Sequence, residues 1–163
     1  PQERHRLLMT YYRPHHSKLD DATARLLDDH GFALIIDAHS FPGQPLPFEK
    51  PCSTPRPDIC LGTDSFHTPA WLQEAAVSAY QEAGFRTCIN YPFTGALVPE
   101  RSLHHDRRVI ALMIEVNRSL YLNEDTSEKG PAYEEMAHAN RSILESLITK
   151  VMSEQQMPRA PSF

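Results

Sequence analysis

Two apolar runs in this chain stop at charged or hydrogen-bonding side chains: ALIIDAHSFPG at residues 33–43 and VIALMIEVNR at residues 109–118. Short continuous apolar runs fit strands buried on both faces better than half-exposed ones, and such strands belong in sheets covered by helices. The second run is the longer and more uniformly apolar, which places it centrally in the sheet.

The surrounding patterns supply the helices. Leu19, Ala22, Leu26 and Leu27 recur at helical spacing, and Gly31 follows where a helix end wants positive φ, so an amphipathic helix is expected over residues 17–30. Residues 58–62 (DICLG) and 85–89 (FRTCI) read as further strands. Between them, Thr68 as N-cap and Pro69 at the first helical position open a helix that should end at Gly84. Met136, Ala139, Ile143, Leu144, Leu147, Ile148 and Val151 mark a long closing helix. The proline-rich stretch at residues 42–57 cannot donate regular ladder hydrogen bonds and reads as a long loop, a kind that is often functional. Strands alternating with helices imply an α/β fold, a three-layer α/β/α sandwich about a mixed, mostly parallel sheet.

With 163 residues, 40% of them hydrophobic, one domain over residues 1–157 is expected, with residues 158–163 a flexible tail. Lys and Arg number 16 against 21 Asp and Glu, with no basic run, which argues against a nucleic-acid partner. No apolar stretch approaches the roughly 20 residues that cross a bilayer, so no membrane partner is expected. The first residues, PQERHRLLMT, lack the layout of a signal peptide, and a cytoplasmic protein is expected. Cys52, Cys60 and Cys88 form no C-x-x-C pair and read as reduced thiols, while nine histidines keep metal chemistry open.

In open α/β sheets the ligand crevice lies at the carboxyl ends of the strands. The first run ends in Asp37, His39 and Ser40, the third strand in Asn90, and the run at 109 in Glu115, Asn117 and Arg118. Strand alternation puts Asp37 and His39 on one face, and turns Arg118 away from Glu115 if the strand continues. A carboxylate after six apolar residues is desolvated and needs a cation, a hydrogen-bond partner or a raised pKa. Two readings stay open at each position. His39 is either a metal ligand or a hydrogen-bonded structural histidine. Glu115 is either a general base or the partner of Arg118, Arg107 or Arg108 in an ion pair.

Weaker signals surround these. Arg13 in YYRPHH has the planar fork that grips a carboxylate, although an arginine before a helix is commonly a surface residue. HHDRR at residues 104–108 has no defensible ligand spacing and reads as a solvated loop. Ser40 lacks the G-x-S-x-G setting of a hydrolase nucleophile, and Cys60 and Cys88 sit in apolar strands as core residues.

Taken in order, YYRPHHSKL, ALIIDAHSFPG, PDICLGTD, NYPFTGALV and ALMIEVNRSLYLNED resemble the N-formylglutamate amidohydrolase family from Tyr11 to Asp125. The resemblance implies a zinc-dependent enzyme of histidine degradation that hydrolyses N-formyl-L-glutamate, or a related N-acyl amino acid, on a fold similar to the zinc carboxypeptidases. It also implies His39 as a zinc ligand with Asp37 and Ser40 beside it, Glu115 as general base, Arg13 and Arg118 on the substrate's carboxylates, and Asn90 lining the pocket. Family members carry a His-containing motif and an acidic ligand ahead of the YYRP stretch, where this chain begins almost at once. A catalytic zinc wants about three protein ligands, so the remaining ligands are expected in such a segment or recruited from His15, His16, His104 or Asp37. A sheet lacking that segment would leave apolar surface that drives association, hence a possible homo-oligomer. The alternative is a catalytically silent relative that binds an amino-acid-like ligand or a partner chain through the same crevice.

Overall fold

A computed structural model describes residues 2–47, 49 and 55–156; the tail expected at 158–163, Cys52 and part of the proline-rich loop lie outside the described residues. Four strands, β1 (Ala33–Phe41), β2 (Ile59–Gly62), β3 (Thr87–Ile89) and β4 (Val109–Asn117), form one sheet in the order β1-β4-β2-β3. β1 runs parallel to β4 and β2 parallel to β3, while β2 and β4 are antiparallel, so the sheet is mixed.

Helices cover both faces. α1 (Gln2–Leu7) and α2 (Arg13–His30) are joined by a π-helical turn at Leu8–Tyr12, in which the Arg13 N–H bonds to the Leu8 carbonyl. Pro14 lies beside this turn and has no N–H to extend a regular ladder. α2 ends as its sequence demands, with Gly31 at φ 78°. α3 (Ala70–Glu82) and α4 (Tyr133–Gln156) follow β2 and β4.

The period-2 alternation of the strands sorts their side chains between two cores. Ile59, Leu61, Ile110, Leu112 and Ile114 pack against Leu72, Ala76 and Tyr80 of α3 and Ile143, Leu147 and Val151 of α4. Each Ile, Leu or Val side chain among these, once fully buried, contributes about 1.5–3 kcal/mol. On the opposite face Ala33, Val109 and Ala111 pack with Val98 and Leu27 of α2.

Two local expectations need correcting. β1 is an edge strand among the described residues, with only Ala33 and Phe41 fully buried, so its apolar run is half covered. Leu34 and Ile36 instead wall a groove of about 520 Å3 with Leu26, Ile148 and Met152. Nor does Thr68 cap α3: its hydroxyl accepts from the Asp64 N–H at 2.9 Å and donates to the Ala111 carbonyl at 2.7 Å, and Pro69 takes the cap position. A hydroxyl pinned to β4 cannot also serve the helix N-terminus.

Candidate active site

The parallel register of β1 and β4 pairs Asp37 with Met113 and His39 with Glu115. Side chains paired across a sheet point to one face, so Asp37, His39 and Glu115 share the α2 side of the sheet near the carboxyl ends of both strands. Cys60 and Cys88 extend the His39–Glu115 row across β2 and β3.

Glu115 is 8% exposed, and its Oε2 is buried without a hydrogen-bond partner among the described residues. Burial pushes its carboxyl above the ordinary range; the neighbouring His39 opposes this, Asp37 adds to it, and Arg118 opposes it. Neither Arg107 nor Arg108 serves as its ion-pair partner. Arg107 lies over the Phe66 ring at 4.1 Å, and Arg108 pairs with Asp106 at 2.6 Å.

His39 is half exposed, and its Nε2 lies 2.7 Å from Asp37 Oδ1, a carboxylate only 17% exposed. The two-residue spacing that sequence alternation put on one face thus becomes a direct contact. Arg118 would turn away only if β4 continued, and it does not. β4 stops at Asn117, whose side chain accepts from the Ser119 N–H, and a 3-10 turn at Arg118–Leu120 swings the guanidinium back. Arg118 Nη2 reaches the Ser40 carbonyl at 3.4 Å, and its Nε is buried without a partner among the described residues. Ser40 therefore contributes its backbone to the site, while its side chain follows Val116 to the other face.

β3 runs opposite to β1 and β4, and Asn90 follows Ile89, whose row runs through Leu61 to Ile114, so it stands level with the Asp37–Met113 pair on the far side of β2. Its amide exchanges bonds with Thr63, accepting from the N–H at 2.9 Å and donating to the hydroxyl at 2.8 Å. These bonds hold the following segment across the sheet, where Phe93 accepts from the Cys60 thiol at 3.2 Å and packs on Phe41. Burial pushes that thiol up to about 11, so Cys60 is a core group.

Arg13 lies elsewhere, at the start of α2, lining a cavity between that helix and Arg101 that none of Asp37, His39 or Glu115 borders. His39 instead forms the rim of a smaller cavity of about 210 Å3, walled by Val116, Tyr121, Tyr133, Met136 and Asn140.

The proline-rich loop is held by a residue the sequence reading passed over. Arg56 bonds the Pro42 carbonyl at 2.8 Å, grips Glu49 at 2.6 and 3.0 Å, and covers the Phe41 ring. A second unforeseen cluster surrounds His67, which is 1% exposed. Its Nδ1 faces the Val109 carbonyl at 2.8 Å, and its Nε2 accepts from the His104 N–H at 2.9 Å. Asp64 binds the N–H groups of Phe66 and His67 and lies 3.1 Å from His104 Nε2. Burial alone would raise the Asp64 carboxyl, but these bonds outweigh it and hold it below its ordinary value. The HHDRR stretch is thus partly a structural clasp.

The donor set does not complete a zinc site. A catalytic zinc takes about three protein ligands, and among the described residues no group of three His, Cys, Asp or Glu side chains is placed to hold a metal. His104 is bound to Asp64, and His15 and His16 pack beside Tyr12 on α2.

An α/β sheet that presents a buried carboxylate, an Asp-bound imidazole and a guanidinium at the ends of two parallel strands defines an enzyme-like crevice. Residues 1–122 match the family model for N-formylglutamate amidohydrolase. The chain belongs to the N-formylglutamate amidohydrolase family. It is 25% identical over 155 residues to the N-formylglutamate deformylase of Pseudomonas aeruginosa, covering 93% of this chain and 56% of that protein. The deformylase of Pseudomonas putida matches with the same identity and coverage. The crystal structure of an N-formylglutamate amidohydrolase from Ralstonia eutropha shares the fold, with a TM-score of 0.73, 24% identity, and 95% of this chain and 55% of that one covered. A protein from Agrobacterium tumefaciens superposes with a TM-score of 0.61 at 17% identity, covering 92% of this chain and 55% of that one. The chain spans about half the length of the curated relatives it matches. Among the described residues no helix is long and apolar enough to cross a membrane.

Proposed function

We propose that this chain hydrolyses the amide of an N-formyl or N-acyl amino acid, with N-formyl-L-glutamate as the first substrate to test. The observation that carries the reading is Glu115: a buried carboxylate with one oxygen unpartnered among the described residues, held beside His39 on a rigid parallel pair of strands. The names of the relatives support the substrate class.

In this reading Glu115 accepts a proton from a water molecule as that water attacks the formyl carbon. Burial makes the carboxylate a stronger base than an exposed one, which suits the task. As the C–N bond breaks, the same carboxyl returns the proton to the leaving nitrogen, giving formate and the free amino acid. Asp37 fixes the His39 ring through Nε2. Arg118, whose buried Nε has no partner among the described residues, supplies a donor for a substrate carboxylate or for the developing oxyanion.

Zinc dependence is the finer part of the proposal, with His39 as one ligand. The described residues supply no three-donor set, so the steps above run through Glu115 alone.

The test is incubation of the full chain with N-formyl-L-glutamate, with and without added zinc, and quantification of formate and glutamate. Equimolar release is expected. A folded chain that releases neither under either condition overturns the proposal.

A further inference from the structure

The two edges of the sheet differ in kind. β3 is three residues long, whereas β1 runs for nine in unbroken register with β4. The Ala33 N–H bonds the Arg108 carbonyl at 2.9 Å, so alternation along the strand turns the backbone groups of Leu34, Ile36 and Ala38 outward, where no described residue bonds them. Proteins blunt such edges with proline, lysine or a bulge. β1 has none of these. Beside it lies the groove of about 520 Å3 walled by Leu26, Leu34, Ile36, Ile148 and Met152. Leu26, Ile148 and Met152 are 38%, 44% and 50% exposed, a concentration of large apolar side chains that a lone chain leaves in water.

An occupant of this face must offer backbone groups at strand spacing together with apolar side chains on the α4 side. β1 itself offers both. We propose that a second copy of this chain covers the face, the two β1 strands pairing antiparallel about a two-fold axis at Ile35 to make one continuous sheet. In that register Leu34 of each copy faces Ile36 of the other in a hydrogen-bonded pair, and both side chains enter the merged grooves beside Ile148 and Met152. Asp37 helps to select it. The carboxylate falls opposite Ala33 of the other copy, whereas a pairing centred on Asp37 would set two carboxylates against each other. A nine-residue strand is about 30 Å long. A strip of that length, about 25 Å deep with helices above and below it, is on the order of the 800 Å2 per partner that a specific interface buries.

Sedimentation of the full chain over a concentration series tests this, with folding of each variant confirmed by circular dichroism. The parent should sediment as a dimer. Ile148→Glu and Met152→Glu should each weaken association by about tenfold or more, whereas Ile89→Glu, on the opposite edge of the sheet, should leave it unchanged. Hydrogen exchange on the parent keeps the proposal testable if a variant fails to fold: the Leu34 and Ile36 amides should slow as rising concentration carries the chain from monomer to dimer. A parent that stays monomeric, a dimer indifferent to both glutamates, or Leu34 and Ile36 amides that exchange equally fast at every concentration overturns the proposal. Open-ended aggregates in place of a dimer overturn it as well, because a two-fold pairing closes on itself.

Discussion

His39 and Glu115 occupy the same register position on two neighbouring parallel strands, β1 and β4, and so present an imidazole and a buried carboxylate to one face. Backbone hydrogen bonding sets that juxtaposition, and no loop movement is needed to create it.

Glu115 should lower stability as the pH rises. Its carboxyl is raised in the folded state, so the folded chain holds a proton that the unfolded chain has already lost. Stability is then full below the unfolded carboxyl pKa and declines as the pH climbs through the raised folded value. Glu115→Gln removes the buried charge. At neutral pH it should be more stable than the parent by on the order of 1 kcal/mol, with the difference vanishing in acid. Denaturant unfolding at several pH values measures this, and a Gln variant that is less stable at neutral pH would count against an unpaired Glu115.

Asp37→Ala frees the His39 ring from its 2.7 Å contact. With His39 as the zinc ligand proposed above, hydrolysis should fall by roughly 10–100-fold, the usual loss when a metal-ligating histidine's orienting partner is removed, with melting temperature little changed. Steady-state kinetics beside a thermal melt would show it.

Arg56→Ala should destabilise the fold by about 3–5 kcal/mol, because Glu49 is left as a buried charge without its partner. The two side chains are only 11% and 8% exposed.

The order of elements, the strands at β1 and β4 and the polar ends of both were legible in the sequence, because apolar periodicity and chain direction are local properties. What was not legible depends on strand neighbours. The antiparallel placement of β2 against β4 is a choice of topology that no local pattern encodes. The edge position of β1 is hidden for the same reason, since its apolar run reads alike at the edge or the centre of a sheet. The direction of Arg118 was left conditional on the strand continuing, and the 3-10 turn that ends the strand at Asn117 is not written in the apolar pattern. His67 and Arg56 escaped notice because their partners, Val109, His104, Pro42 and Glu49, are brought together only by the fold.

Gly62→Ala tests how closely the segment after Asn90 lies on the sheet. A Cβ there would run into the Gly95 carbonyl and the Met113 side chain, and the backbone oxygen has no flexible tip to yield. Destabilisation of about 1–3 kcal/mol is expected, the scale of overpacking a core, measurable by chemical unfolding.

The most direct measurement is formate release from N-formyl-L-glutamate by the parent chain and by Glu115→Gln at equal concentration, with folding of both confirmed by circular dichroism. Release by the parent, falling by roughly 10²–10⁴-fold in the variant, is the predicted result for removal of a general base. Equal rates in the two proteins would contradict it.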